Sequence, residues 1–121
     1  MKDYLLYLLH IRECLDRIRD YTREGREGFS SDTKTQDAVL RNLQTLSEST
    51  QHLSADLKAT RPDVDWRAIA AFRNVIAHEY LGLDLARTWR VVEHDLPPLR
   101  EAVEAMLQVP DAAGAPPSGD G

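Results

Sequence analysis

With 121 residues and one cysteine, Cys14, the chain has room for a single domain and no intrachain disulfide. Hydrophobic residues make up 42 % and charged residues 29 %, which excludes a wholly disordered chain and suits one buried core. A net charge of −5 and a pI near 5.3 count against nucleic-acid binding by bulk electrostatics, so any RNA contact must rest on local basic groups or on an oligomer that gathers them.

The opening M-K-D-Y-L-L-Y-L-L-H is only briefly apolar and runs at once into I-R-E-C-L-D-R-I-R-D. Neither a secretory leader nor a membrane span is expected, and a reducing cytoplasm is the simplest setting for the lone thiol. Tyr4, Leu8, Ile11, Leu15 and Ile18 step by four and three, with Leu5, Leu9 and Cys14 widening the stripe. This predicts an amphipathic helix from about Asp3 to Thr22, its outer face carrying charges of both signs. E-G-R-E-G-F-S-S-D breaks the period and reads as a loop, with Asp32 or Thr33 capping the next helix.

Val39, Leu43, Leu46, Thr50, Leu53 and Leu57 predict a second helix from about Thr33 to Ala59, with one flank on helix 1 and the other on a further helix or a second subunit. Arg61-Pro62-Asp63 is a break, and Asp63 or Asp65 caps a third helix, W-R-A-I-A-A-F-R-N-V-I-A-H, apolar around most of its circumference and so expected at the centre of a bundle. Y-L-G-L-D ends it at Gly82, and Asp84 caps a fourth helix with Leu85, Trp89 and Val92 inward. Asp95-Leu96-Pro97-Pro98 interrupts that helix, and a last one starts in the prolines, with Leu99, Val103 and Met106 on its apolar face. No segment alternates as a strand. The expectation is an all-α, up-and-down bundle of four to five helices over residues 1–108, followed by a disordered Pro/Gly-rich tail over 109–121.

The polar end of the third helix is the best place for chemistry. Arg73 and Asn74 are followed by His78 and Tyr80. Asn74 and His78, four apart, share a face if the helix continues, and Arg73 lies about 100° round from Asn74 on a long side chain. A structural reading is available: Arg73 pairs with a nearby acid and His78 faces the helix C-terminal carbonyls. From the arginine–histidine pair alone that reading is preferred. The chemical reading is metal-free RNA cleavage, in which the 2′-OH attacks the adjacent phosphate. Histidine can exchange protons near neutrality, and arginine can hold phosphate oxygens as charge builds.

Other groups are weaker. His10 and Cys14 are four apart, but two ligands make no metal site, and a core cysteine beside a partly buried histidine explains them. Glu48, His52 and Asp56 read as a solvated row, and His94 as a local contact of Glu93 and Asp95. Trp66 and Trp89 fall on apolar stripes and read as core. Arg12, Arg17, Arg19, Arg23 and Arg26 are diluted by acids. No cofactor or metal is expected.

R-N-V-I-A-H-E-Y, with four residues between arginine and histidine and one before tyrosine, resembles the signature of HepT-type HEPN toxins. T-Q-D-A-V-L-R-N-L, W-R-A-I-A-A-F-R-N, Y-L-G-L-D and D-L-P-P-L are similar to further family segments, in order, from about Tyr4 to Leu107. The resemblance implies a HEPN helical bundle that dimerises with two motifs facing one cleft. It implies a metal-independent endoribonuclease, the toxin of a type II-like toxin–antitoxin pair, acting on tRNA or other RNA. The implied partner is an MNT-type nucleotidyltransferase antitoxin that transfers AMP to the motif tyrosine. By position, Arg73 and His78 are then catalytic, Asn74 supports them, and Tyr80 accepts AMP. The alternative on the same fold is a non-catalytic module that binds a nucleotidyltransferase or a nucleotide. Relatives carry a small, apolar glycine–glutamate–alanine stretch where Ser47, Ser49 and Thr50 flank Glu48 here, so different packing is expected at that point.

Overall fold

Helix α1, Asp3–Tyr21, forms where the apolar period is strongest, and Leu8, Ile11, Leu15 and Ile18 along it are almost wholly buried. In the computed structural model, which describes residues 3–74 and 85–108, the remaining elements are α2 (Gly25–Ser31), α3 (Thr33–Thr50), α4 (Ala55–Ala59), α5 (Trp66–Ala70) with a 3₁₀ turn (Ala71–Asn74), α6 (Leu85–Arg90), a π turn (Val91–Asp95) and α7 (Leu96–Gln108). The described residues contain helices and turns and no strand, so the all-α class stands. None of these helices is long and apolar enough to cross a membrane.

Side-chain pairs give the topology. Tyr7 stacks on His52 and His10 meets Ser49, so α1 runs forward as α3 and its following turn run back. Arg12 pairs with Glu104 and Asp16 with Arg100, which sets α7 antiparallel to α1 as well. The core fills the space between these long helices, with Val39, Leu43 and Leu46 from α3 and Leu99, Ala102 and Val103 from α7. The second flank of α3 is covered within the chain, by α2, α5 and the 3₁₀ turn. Leu5 and Leu9, expected to widen the buried stripe, are 36 % and 39 % exposed. They sit at the edge of the arc that α1 presents to its neighbours.

Four boundaries differ from the periodicity reading. The expected loop over 24–32 contains α2, because Phe29 is buried to 1 % and packs on Trp89 with ring centroids 5.5 Å apart. Burying that ring, about 1.5–3 kcal/mol, offsets the roughly 1 kcal/mol cost of a helical glycine. Gly25 has φ +82, which favours glycine, and a Cβ on Gly28 would stand 2.8 Å from the Cβ of Glu24. Gln36 Nε2 donates to the carbonyls of Phe29 and Ser30, tying the end of α2 to α3. Asp32 caps α3 by accepting from the Lys34 N–H, and the Thr35 hydroxyl holds its carboxyl below the ordinary carboxylate range.

The long second helix stops at Thr50. The hydroxyls of Ser47 and Thr50 donate back to the carbonyls of Gln44 and Ser47, at 2.8 and 2.7 Å, and local bonds of this kind compete with a helix. A tight turn follows, in which His52 and Leu53 donate three residues back, before Ser54 caps α4. Leu53 stays in the core through this turn, so the apolar period survives while the helix does not. His52 thereby leaves the expected Glu48–His52–Asp56 row. The polar stretch of α3 packs because each buried hydroxyl there has a partner.

The third helix is α-helical only to Ala70 and continues as the 3₁₀ turn. The fourth is not interrupted at Asp95–Pro98. Arg90 and Leu96 both keep right-handed helical angles, and the Leu96 N–H reaches back five residues to the carbonyl of Val91. Pro97 and Pro98 have no N–H to give, and the wide π turn absorbs that loss without a break. The expected continuation of the third helix past Asn74, its stop at Gly82, the Asp84 cap and the disordered tail over 109–121 lie outside the described residues.

Two measurements check this arrangement. Phe29→Ala should cost about 3–5 kcal/mol in urea unfolding, whereas a residue in an unpacked loop would change stability little. Asp95, in the π turn, has its carboxyl raised above the ordinary range by burial first and then by the neighbouring Asp65 carboxylate. A folded-state pKa above the unfolded one means that ionised Asp95 opposes folding once pH rises above 3.8, and that this penalty fades as pH falls back. Asp95→Asn should therefore raise the melting temperature at pH 7, with the gain shrinking toward pH 4.

Candidate functional site

Position 73 is set by the elements before it. The Asp65 side chain accepts from the Ala68 N–H at 3.0 Å and starts α5. The indole N–H of Trp66 reaches the carbonyls of Lys58 and Arg61, at 3.1 and 3.2 Å, fixing α5 to the turn after α4. Lys58 Nζ lies 5.9 Å from the Trp66 ring centre, a cation over an aromatic face. Ile69 and Phe72, three apart, are buried to 1 % and 4 %. In a helix of three residues per turn, an inward Phe72 turns the next side chain about 120° away. Arg73 is accordingly exposed.

Its backbone is held from behind. Gln44 Nε2 on α3 donates to the Arg73 carbonyl at 3.1 Å. The guanidinium makes no ion pair among the described residues, whereas Arg12, Arg17, Arg19, Arg61 and Arg100 all lie beside acids. The acid partner that a purely structural Arg73 would want is not found there. Asn74 closes the 3₁₀ turn. His78 and Tyr80 lie outside the described residues.

Gln44 carries no signal in the sequence. It sits beside the apolar stripe of α3, and nothing in the periodicity marks its amide as the support of a residue 29 positions later.

The other polar groups have local explanations. His10 Nδ1 stands 2.8 Å from Ser49 Oγ, and His10 Nε2 stands 4.0 Å from Cys14 Sγ. This is the half-buried histidine beside a core cysteine expected from the spacing. Burial pushes the Cys14 thiol up to about 11, so it is protonated and unreactive at neutral pH. His94 lies 3.7 Å from Glu93. Trp66 and Trp89 pack against the core. Arg17 and Arg19 pair with Glu13 and Asp16, which confirms the dilution of the N-terminal basic cluster. Among the described residues, no three His, Cys, Asp or Glu side chains gather as a metal-binding group.

A family model described as "Ribonuclease HepT-like" matches residues 11–106. A "probable ribonuclease HepT" of Thermococcus cleftensis is 36 % identical over 101 residues, covering 83 % of this chain and 92 % of that protein. A "gamma-glutamylcyclotransferase and putative RNase" of Methanocaldococcus jannaschii is 32 % identical over 108 residues, 88 % of this chain; the match spans 49 %, about half, of that relative's length. A "putative RNase" of Caldanaerobacter subterraneus is 29 % identical over 109 residues, 89 % of this chain and 97 % of its own. No solved structure matches the chain.

The Gln44 support predicts that Gln44→Leu lowers stability by about 0.5–1.5 kcal/mol, the usual worth of one hydrogen bond. Amide exchange should speed up at residues 71–74 and stay unchanged in α1.

Proposed function

This chain belongs to the HepT-like ribonuclease family, and on that premise we propose that it is a metal-independent endoribonuclease acting as the toxin of a toxin–antitoxin pair in the cytoplasm. The observation that carries the reading is Arg73: an exposed guanidinium on a turn clamped by Gln44 and anchored by Phe72, five residues before His78 and seven before Tyr80.

Arg73 binds the scissile phosphate and offsets the charge that builds on its oxygens. His78 exchanges the proton. The 2′-oxygen bonds to phosphorus as its proton leaves to a base, and the bond to the 5′-oxygen breaks as that oxygen gains a proton. A homodimer with two motifs at one cleft supplies one histidine as base and one as acid. It also doubles the local positive charge, which an acidic chain needs in order to hold RNA. Asn74 supports the pair. tRNA is the proposed substrate class.

The proposed partner is an MNT-type nucleotidyltransferase that adds AMP to the Tyr80 hydroxyl, with loss of pyrophosphate from ATP. The added phosphate competes with RNA for Arg73, and the base fills the cleft.

Wild type should cut total RNA in EDTA. His78→Ala and Arg73→Ala should each be slower by about 10²-fold or more, with unfolding midpoints near wild type. Uncut RNA, or His78→Ala cutting as fast as wild type, sinks the enzyme reading. Coexpression with the nucleotidyltransferase should add AMP mass to wild type and none to Tyr80→Phe; AMP on the phenylalanine variant would place the acceptor elsewhere.

A further inference from the structure

The contact between Gln44 and the Arg73 carbonyl does more than hold a turn. It fixes which stretch of α3 lies beside the exposed Arg73. Three residues before Gln44 on the same helix is Arg41. Residues three apart are neighbours on a helix surface, with Cβ atoms roughly 5–6 Å apart. The Arg41 side chain therefore starts one turn from the amide that touches the Arg73 backbone, and it is exposed. The two arginines come from different elements, and the hydrogen bond from Gln44 ties those elements together.

Arg41 is also unengaged. Asp37, four residues before it, stands at the spacing at which an acid pairs with a following arginine along a helix. Arg41 nevertheless makes no ion pair among the described residues, whereas Arg12, Arg17 and Arg19 on α1 and Arg100 on α7 each meet an acid. The acidic chain thus neutralises arginines on its α1 and α7 side and leaves Arg41 and Arg73 with charge for an outside anion.

An arginine holds phosphate oxygens through its planar fork of N–H donors. Two such groups set side by side on separate elements suit an anion with repeated phosphates, which is a nucleic-acid strand. Arg41 rises from a regular helix, so its backbone is fixed before the strand arrives. We propose that Arg41 is a second phosphate-holding arginine of the Arg73 centre, gripping the backbone phosphate next to the one that Arg73 holds. The choice of RNA as the strand rests on the ribonuclease reading. In this role Arg41 moves no proton, and its contact is the same in the bound strand and in the transition state. Its loss therefore weakens binding and leaves the chemical step alone.

The test is fluorescence anisotropy of the full chain with a labelled single-stranded 2′-O-methyl RNA, which has no free 2′-OH to attack. Arg41→Gln should bind it about tenfold more weakly. The slope of log K against log salt should fall by about 0.7, the share of one phosphate contact on a single strand. Arg41→Lys, which keeps the charge, should keep the slope. Arg17→Gln, which removes the same charge from α1, should change binding little. In cleavage assays Arg41→Gln should raise KM by a similar factor with kcat unchanged, whereas Arg73→Ala lowers kcat. Equal binding by wild type and Arg41→Gln, an equal loss in Arg17→Gln, or no binding of the strand by wild type overturns the proposal. The enzyme reading fails separately: strand binding that needs Arg41 without any cleavage leaves this contact and removes the nuclease, and cleavage with an unmoved KM in Arg41→Gln does the reverse.

Discussion

The buried stripe of α1 is the constraint on which the rest depends. Leu8, Ile11, Leu15 and Ile18 face both α3 and α7, so a single helix serves as a wall shared by two antiparallel neighbours. Apolar contact is not directional and would allow sliding. Interlocking side chains limit that sliding, and polar pairs beside the stripe match the same register: His10 with Ser49 on one side, Arg12 with Glu104 and Asp16 with Arg100 on the other. The exposed ion pairs add little stability each. Their value is positional, because a helical step of one residue would separate every pair at once.

That register governs the candidate active centre. Once α3 is fixed on α1, Gln44 stands where it can take the carbonyl of Arg73, and Phe72 enters the core beside α3. A guanidinium is too costly to bury without a partner. Placing it one residue after a buried phenylalanine on a tight turn puts it in solvent while its backbone stays fixed. An arginine held in this way loses less freedom when it takes hold of a phosphate than one on a loose loop.

Charge is handled locally throughout. The chain is acidic overall, and the arginines of α1 are mostly engaged by acids. The Arg73 turn depends on exposure and on a guanidinium that makes no ion pair among the described residues. Such a turn needs no basic surface around it, so the negative net charge is compatible with membership of a ribonuclease family.

The sequence alone determined the all-α class, the buried face of α1, the caps to within two candidates each (Asp32 or Thr33, Asp63 or Asp65, of which the structure uses Asp32 and Asp65) and the motif that links Arg73 to His78 and Tyr80. These are local: helical period, capping chemistry and residue spacing are complete within a few turns of chain. Tertiary structure decided the rest. Gly25–Ser31 became a helix because Phe29 found Trp89, 60 residues away. The helix beginning at Thr33 ended at Thr50, although its apolar period ran on, because a turn could keep Leu53 buried while hydroxyls took backbone carbonyls. The double proline caused no break because a π turn reassigned the hydrogen bonds. Of the candidate site, the residue types were legible from the motif. The exposure of Arg73 and its support by Gln44 were not, because both depend on which helix packs behind the turn.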